Sequence, residues 1–79
     1  AVIDGGINVT HPDLIDALWT NSDEIPNNGI DDDKNGYVDD IHGYGFGDGT
    51  PILYPDGHAT HVAGIIGAVT NNGIGVSGI

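Results

Sequence analysis

An aspartate closing a short apolar run and a histidine heading a stretch of small residues are the types from which a charge-relay pair is built. The run is Ala1-Val2-Ile3-Asp4, broken by Gly5-Gly6. The stretch is Asp56-Gly57-His58-Ala59-Thr60-His61-Val62-Ala63-Gly64. A serine hydroxyl is a weak nucleophile unless a base takes its proton, and an imidazole base works better when a carboxylate fixes its tautomer. Open α/β sheets place functional groups at the carboxyl ends of parallel strands and at helix N-termini. Asp4 occupies a position of the first kind. His58 occupies one of the second, where the helix dipole disfavours added positive charge. We take Asp4 and His58 as the catalytic pair, with His58 as general base and acid and Asp4 as its orienting partner. No serine stands in a nucleophile-like setting, because Ser22 lies in a polar loop and Ser77 in a Gly-rich tail. His58 and His61 have a spacing that can hold zinc, but no Glu follows His58 and no third ligand is evident. His61 is read as structural, packed beside the sheet, and His11 and His42 as ordinary surface or turn residues.

A second chemistry is written in Asp31-Asp32-Asp33-Lys34-Asn35-Gly36-Tyr37-Val38-Asp39-Asp40. Oxygen side chains at alternate positions 31, 33 and 35, followed by Gly36, match the front half of an EF-hand loop. Alternation brings the oxygens round one point, and glycine permits the sharp turn. The Tyr37 carbonyl follows as a backbone ligand, with Asp40 or Asp39 closing the shell. The bidentate Glu of a complete EF-hand is absent, since His42 holds its place, so this is a shorter DxDxNG-type calcium loop. A solvated acidic loop without a metal is the alternative.

The elements that must position these groups are legible in outline. Residues 1–4 read as a strand of the buried, parallel type. Residues 12–19 read as a short helix with Pro12 in its first turn, and 20–36 as a polar stretch with turns at Asn28-Gly29 and Asn35-Gly36. Tyr37-Val38 and residues 41–46 suggest extended segments, and 47–57 a loop. A helix opens at His58, with Val62, Ile65, Ile66 and Val69 on one apolar face, and stops before Asn71-Asn72-Gly73. Strand, helix and strand in alternation point to an α/β fold.

The chain has 79 residues, no Cys, 14 Gly and 4 Pro, and a formal net charge of −11 with Lys34 its single Lys or Arg. Nucleic-acid binding requires basic groups that displace counterions, and attraction to an anionic membrane surface needs the same. Both are excluded as expectations. The apolar run Val62 to Val69 is too short to span a bilayer. A lone domain of this size buries a modest fraction of its surface. Both ends read as cut through a larger domain.

These blocks, with His11-Pro12-Asp13-Leu14, resemble the subtilisin-like serine proteases, the subtilase family, whose first two signature blocks are Asp-Thr/Ser-Gly and His-Gly-Thr-His-Val-Ala-Gly. Two residues depart from that pattern: Gly5 follows the Asp, and Ala59 follows the His. The resemblance covers nearly the whole chain. It implies that residues 1–79 are the N-terminal part of a peptidase S8 catalytic domain, a partial three-layer α/β fold with a mainly parallel sheet flanked by helices. It implies a serine endopeptidase whose nucleophilic Ser and oxyanion-hole Asn lie outside these residues, so that the fragment alone is inactive. Related acidic inserts in some bacterial subtilases support the calcium loop at Asp31, Asp33, Asn35, Tyr37 and Asp40. The resemblance also implies a second calcium site, from Asp13, the Asn72 side chain and the carbonyls of Thr70, Ile74 and Val76. The expected partners are a polypeptide substrate and the rest of the catalytic domain, with no nucleic acid and no membrane. A secreted location is expected, because millimolar calcium there fills weak sites. The rival reading is a catalytically inactive subtilase-like domain or a calcium-binding or adhesive module.

Overall fold

A computed structural model describes residues 1–79, which fall into two compact units: residues 1–18 with 54–79, and residues 19–53.

The first unit carries the one α-helix, α1, Gly57–Gly67. It begins where Asp56, in extended conformation, accepts the Ala59 N–H on its side chain at 2.9 Å. That cap satisfies one of the donors a helix start leaves unpaired. The sequence suggests a helix that runs up to Asn71, but it stops at Gly67, three residues short. Ala68 still donates to the Gly64 carbonyl at 3.0 Å, yet the Val69 N–H turns to the Asp13 carbonyl at 2.8 Å. The Ile65 carbonyl, which a longer helix would give to Val69, instead accepts the Ile79 N–H at 3.3 Å. Competition for backbone partners therefore ends the helix, not the Asn-Gly signal that follows.

The buried side of α1 is also not the expected one. Ala59, Gly64 and Ala68 are buried, whereas Ile65 and Ile66 are exposed. A stripe of small residues lets other backbone approach closely, and the large apolar residues are left uncovered within this chain. Ile3 and Ile79 are uncovered as well. Residues 1–4 have no hydrogen-bonded neighbour strand, so the run is not paired into a ladder. The expected helix over 12–19 is reduced to a single 3-10 turn at Ile15–Ala17, since its first turn is drawn tight by Leu14 and Ile15 N–H groups that share the His11 carbonyl at 3.0 and 2.9 Å.

Asp13 is the hub of this unit. It is buried, at 3% exposure. Its carboxylate accepts Asn72 Nδ2 at 2.8 Å and the Val76 N–H at 2.9 Å. Those two bonds, the Asn72 amide foremost, hold its carboxyl below the usual carboxylate range. Gly75 passes directly over the carboxylate with φ +60°, and a Cβ there would collide with it.

The second unit, residues 19–53, is built of turns, with one isolated antiparallel bridge between Gly45 and Thr50. The extended segments expected at 37–38 and 41–46 form no strand beyond that bridge. The rings of Tyr37, Tyr44 and Phe46 stack against one another with centroids 4.9 to 5.6 Å apart. Carboxylates supply the acceptors that a ladder would otherwise provide. Glu24, at 5% exposure, takes the N–H groups of Asp33 and Asp39 at 3.1 and 3.0 Å. Asp39 takes those of Asn28 and Gly29, and Asp31 those of Asn35 and Gly36.

Two outcomes follow for the full-length protein. Gly75→Ala should destabilise it by about 1–3 kcal/mol, read as a lower urea midpoint with an unchanged slope. Because the Asp13 carboxyl is depressed in the folded chain, its contribution to stability is complete above about pH 4 and is lost as pH falls through the lowered folded value. Asp13→Asn should therefore flatten the loss of stability between neutral pH and about pH 3, measured by denaturant titration at each pH.

Candidate active site

Asp4 and His58 are 54 residues apart in sequence, and the fold brings them together, with His58 Nδ1 standing 2.8 Å from Asp4 Oδ2. The other Asp4 oxygen, Oδ1, accepts the Gly5 N–H at 2.6 Å. The Gly5 bond, reinforced by the bond to His58 and opposed by partial burial, lowers the Asp4 carboxyl below its ordinary value. An ionised Asp4 accepts only, so it fixes the proton on Nδ1 and leaves Nε2 with a lone pair. The imidazole side chain is 74% exposed and its carboxylate partner 25%, which presents the Nε2 edge to solvent. Neither serine reaches it: Ser77 Oγ bonds to the Gly78 carbonyl, and the ring's one protein partner is Asp4.

Gly6 serves this geometry. With φ +130°, it runs so close to the Tyr54 carbonyl that a Cβ would collide. Its own carbonyl accepts the Asp56 N–H at 3.0 Å, which ties the segment after Asp4 to the residue that caps α1. Thr60 adds a second tie by accepting the Asn8 N–H on its hydroxyl at 3.0 Å.

His61 is separated from this pair. It lines an open cavity of about 440 Å³ with His11, Leu14, Thr60 and Val76, and His58 is not among the lining residues. The zinc spacing of the two histidines is therefore not converted into a shared centre. His11 Nδ1 accepts the Asp13 N–H at 3.1 Å, and His42 Nδ1 faces the Trp19 carbonyl at 2.9 Å, both turn roles.

The acidic loop gathers a different set of oxygens from the one its spacing suggests. Carboxylate oxygens of Glu24, Asp33 and Asp40 lie within 4.8 Å of one another. Asn21 Nδ2 bridges Asp33 and Asp40 at 2.9 and 3.1 Å, and Asn35 Nδ2 bridges the same pair at 3.2 and 2.9 Å. The Asn21 amide is the main cause that holds the Asp33 carboxyl below its ordinary value. Asp31 turns both oxygens onto backbone N–H groups, and the Tyr37 N–H is held by Asn35 Oδ1 at 2.8 Å. No Lys or Arg forms an ion pair with the cluster. Three oxygen anions with no protein counter-charge are a donor set that fits a hard divalent cation. Glu24 and Asn21 were missed by spacing, since Ile25-Pro26 interrupts the oxygen alternation beyond them.

At the other expected set, Asp13 and Asn72 are brought together, while Ile74 and Val76 approach through their N–H groups, on Asn72 Oδ1 at 3.3 Å and on Asp13. The carbonyls of Thr70, Ile74 and Val76 accept no hydrogen bond from the chain. In this arrangement the groups that face the Asp13 carboxylate are N–H donors, from Asn72 Nδ2 and Val76, and not the expected carbonyls.

No helix is long and apolar enough to cross a membrane. The chain is 49% identical over 80 residues to subtilisin-like protease 1 of Plasmodium falciparum and 48% identical to that of Plasmodium vivax, in each case over 99% of this chain. It is 33% identical over its whole length to halolysin of Haloferax mediterranei. It spans 12 to 13% of the length of these relatives. The family profile of the subtilases matches residues 1–79 from end to end. With that match and an Asp–His pair at its two signature blocks, the chain belongs to the subtilase family, peptidase S8, whose fold is the α/β subtilisin fold.

Proposed function

We propose that residues 1–79 are the N-terminal part of a subtilase catalytic domain that hydrolyses polypeptides, with Asp4 and His58 acting on a serine nucleophile supplied from outside these residues. The observation that carries this reading is the 2.8 Å contact between His58 Nδ1 and Asp4, with Nε2 unpaired at the solvent edge. In that state Nε2 takes the proton of the serine hydroxyl as its oxygen attacks the scissile carbonyl. Asp4 stabilises the imidazolium so formed, and Nε2 then returns the proton to the departing amine. The Gly5 N–H holds the second Asp4 oxygen, so the carboxylate cannot rotate away as the ring becomes charged.

The exposed Ile3, Ile65, Ile66 and Ile79 are the surfaces the remainder of the domain covers, with residues 1–4 entering a mainly parallel sheet in the three-layer fold. Calcium would be held by Glu24, Asp33 and Asp40 with Asp31, Asn35 and the Tyr37 carbonyl, and by Asp13 with Asn72 and the carbonyls of Thr70, Ile74 and Val76. When bound it supplies positive charge that pins loops otherwise held only by their own carboxylates. A secreted location accords with such weak sites, since calcium is plentiful there.

The test is peptide hydrolysis by the full-length protein, beside labelling by a serine-directed fluorophosphonate. His58→Ala should lower kcat/KM by at least about 10³-fold. A correctly processed protein that neither hydrolyses peptides nor labels would instead be an inactive, calcium-binding relative. Chelator should lower its Tm by roughly 5–10 °C. Glu24→Gln should shrink that calcium-dependent increment, whereas a merely solvated loop would leave it unchanged.

A further inference from the structure

A second carboxylate stands beside the Asp4–His58 pair. One oxygen of Asp56, one of Asp4 and a ring nitrogen of His58 all lie within 4.8 Å of one another. Asp56 does not wander, because its Oδ2 accepts the Ala59 N–H at 2.9 Å. Gly5 leaves room beside it: a Cβ there would lie 3.2 Å from Asp56 Cγ and 3.3 Å from its Cβ and Oδ2, and the Asp56 side chain would have to yield by a few tenths of an ångström.

We propose that Asp56 is a positioning residue that stabilises the protonated form of His58, and that the bare backbone at Gly5 favours its close approach. This rests on the peptide-hydrolysis reading of the pair. His58 sits at the N-terminal turn of α1, where the dipole opposes positive charge on the ring. Asp56, at the same helix end, offsets that opposition with a full negative charge. Asp4 alone provides the hydrogen bond; Asp56 adds charge without a bond to the ring. The titratable groups around the ring are thus Asp4 from the N-terminal segment and Asp56 ahead of α1; Asp56 also lines the cavity onto which His61, one turn on, opens with His11 and Asp13.

The decisive variant is Asp56→Asn, because Asn caps a helix about as well as Asp and removes only the charge. In the full-length protein, two curves are recorded at low salt: kcat/KM against pH, and the NMR titration of the His58 Cε1–H resonance. Both midpoints should move by about half a pH unit toward acid, with a roughly threefold lower plateau in kcat/KM. The difference should shrink in about 1 M salt. Gly5→Ser should move both midpoints in the same direction by a smaller amount, by crowding the carboxylate. An unchanged NMR midpoint in Asp56→Asn overturns the proposal even if His58-dependent hydrolysis is found. A shifted midpoint in a protein without hydrolysis supports the coupling and overturns the hydrolase reading instead.

Discussion

Carboxylates that accept backbone N–H groups are what the rest of this chain hangs on. Apolar burial is scarce: Leu14, Ala59 and Ala68 are the buried hydrophobic residues. A chain with so little core and no disulfide has to fix its loops by other means. Asp13 gathers residues 72–76, Asp56 starts α1, and Glu24 and Asp39 close the turns of residues 19–53. Each bond joins an anion to a neutral donor, stronger than a neutral pair, but none removes negative charge. A net charge of −11 on 79 residues is thereby concentrated at a few points. The same device that orders the backbone gathers its negative charge.

The Asp4–His58 pair depends on this scaffold in a specific way. Asp4 is not held by a sheet within the chain but by its own neighbour's N–H and by the approach of residues 5 and 6 to 54–56. His58 is placed by the helix start that Asp56 caps. One short crossing of backbone therefore sets the distance between the two.

The sequence identified the pair because residue type, spacing and flanking glycines all agree at Asp4 and His58. It placed α1 to within a residue at its start, where the Asp56 cap is a local signal. The end of α1 was misjudged, since the competitor for the Val69 N–H is the Asp13 carbonyl, far away along the chain. The buried face was misjudged for a related reason: hydropathy favours Ile65 and Ile66, but close packing within this chain selects Ala59, Gly64 and Ala68. The acidic loop was legible as a cluster through Asp33 and Asp40. Glu24 was not, because it joins them across a turn whose closure no periodicity encodes.

The contacts that build the site span 52 to 63 residues of sequence, between Asn8 and Thr60, Asp4 and His58, and Asp13 and Val76. Residues 19–53 leave this unit and return to it as one long excursion. Contacts of such long sequence separation raise the contact order, a feature that goes with slower folding. The entropy of closure rises by only about 0.6 kcal/mol for each doubling of loop length. The closure term alone therefore changes little with the length of the segment between Leu18 and Tyr54. The spacing of Asp4 and His58 is set by contacts within residues 1–18 and 54–79, so the length of the excursion bears on it only through that small closure cost.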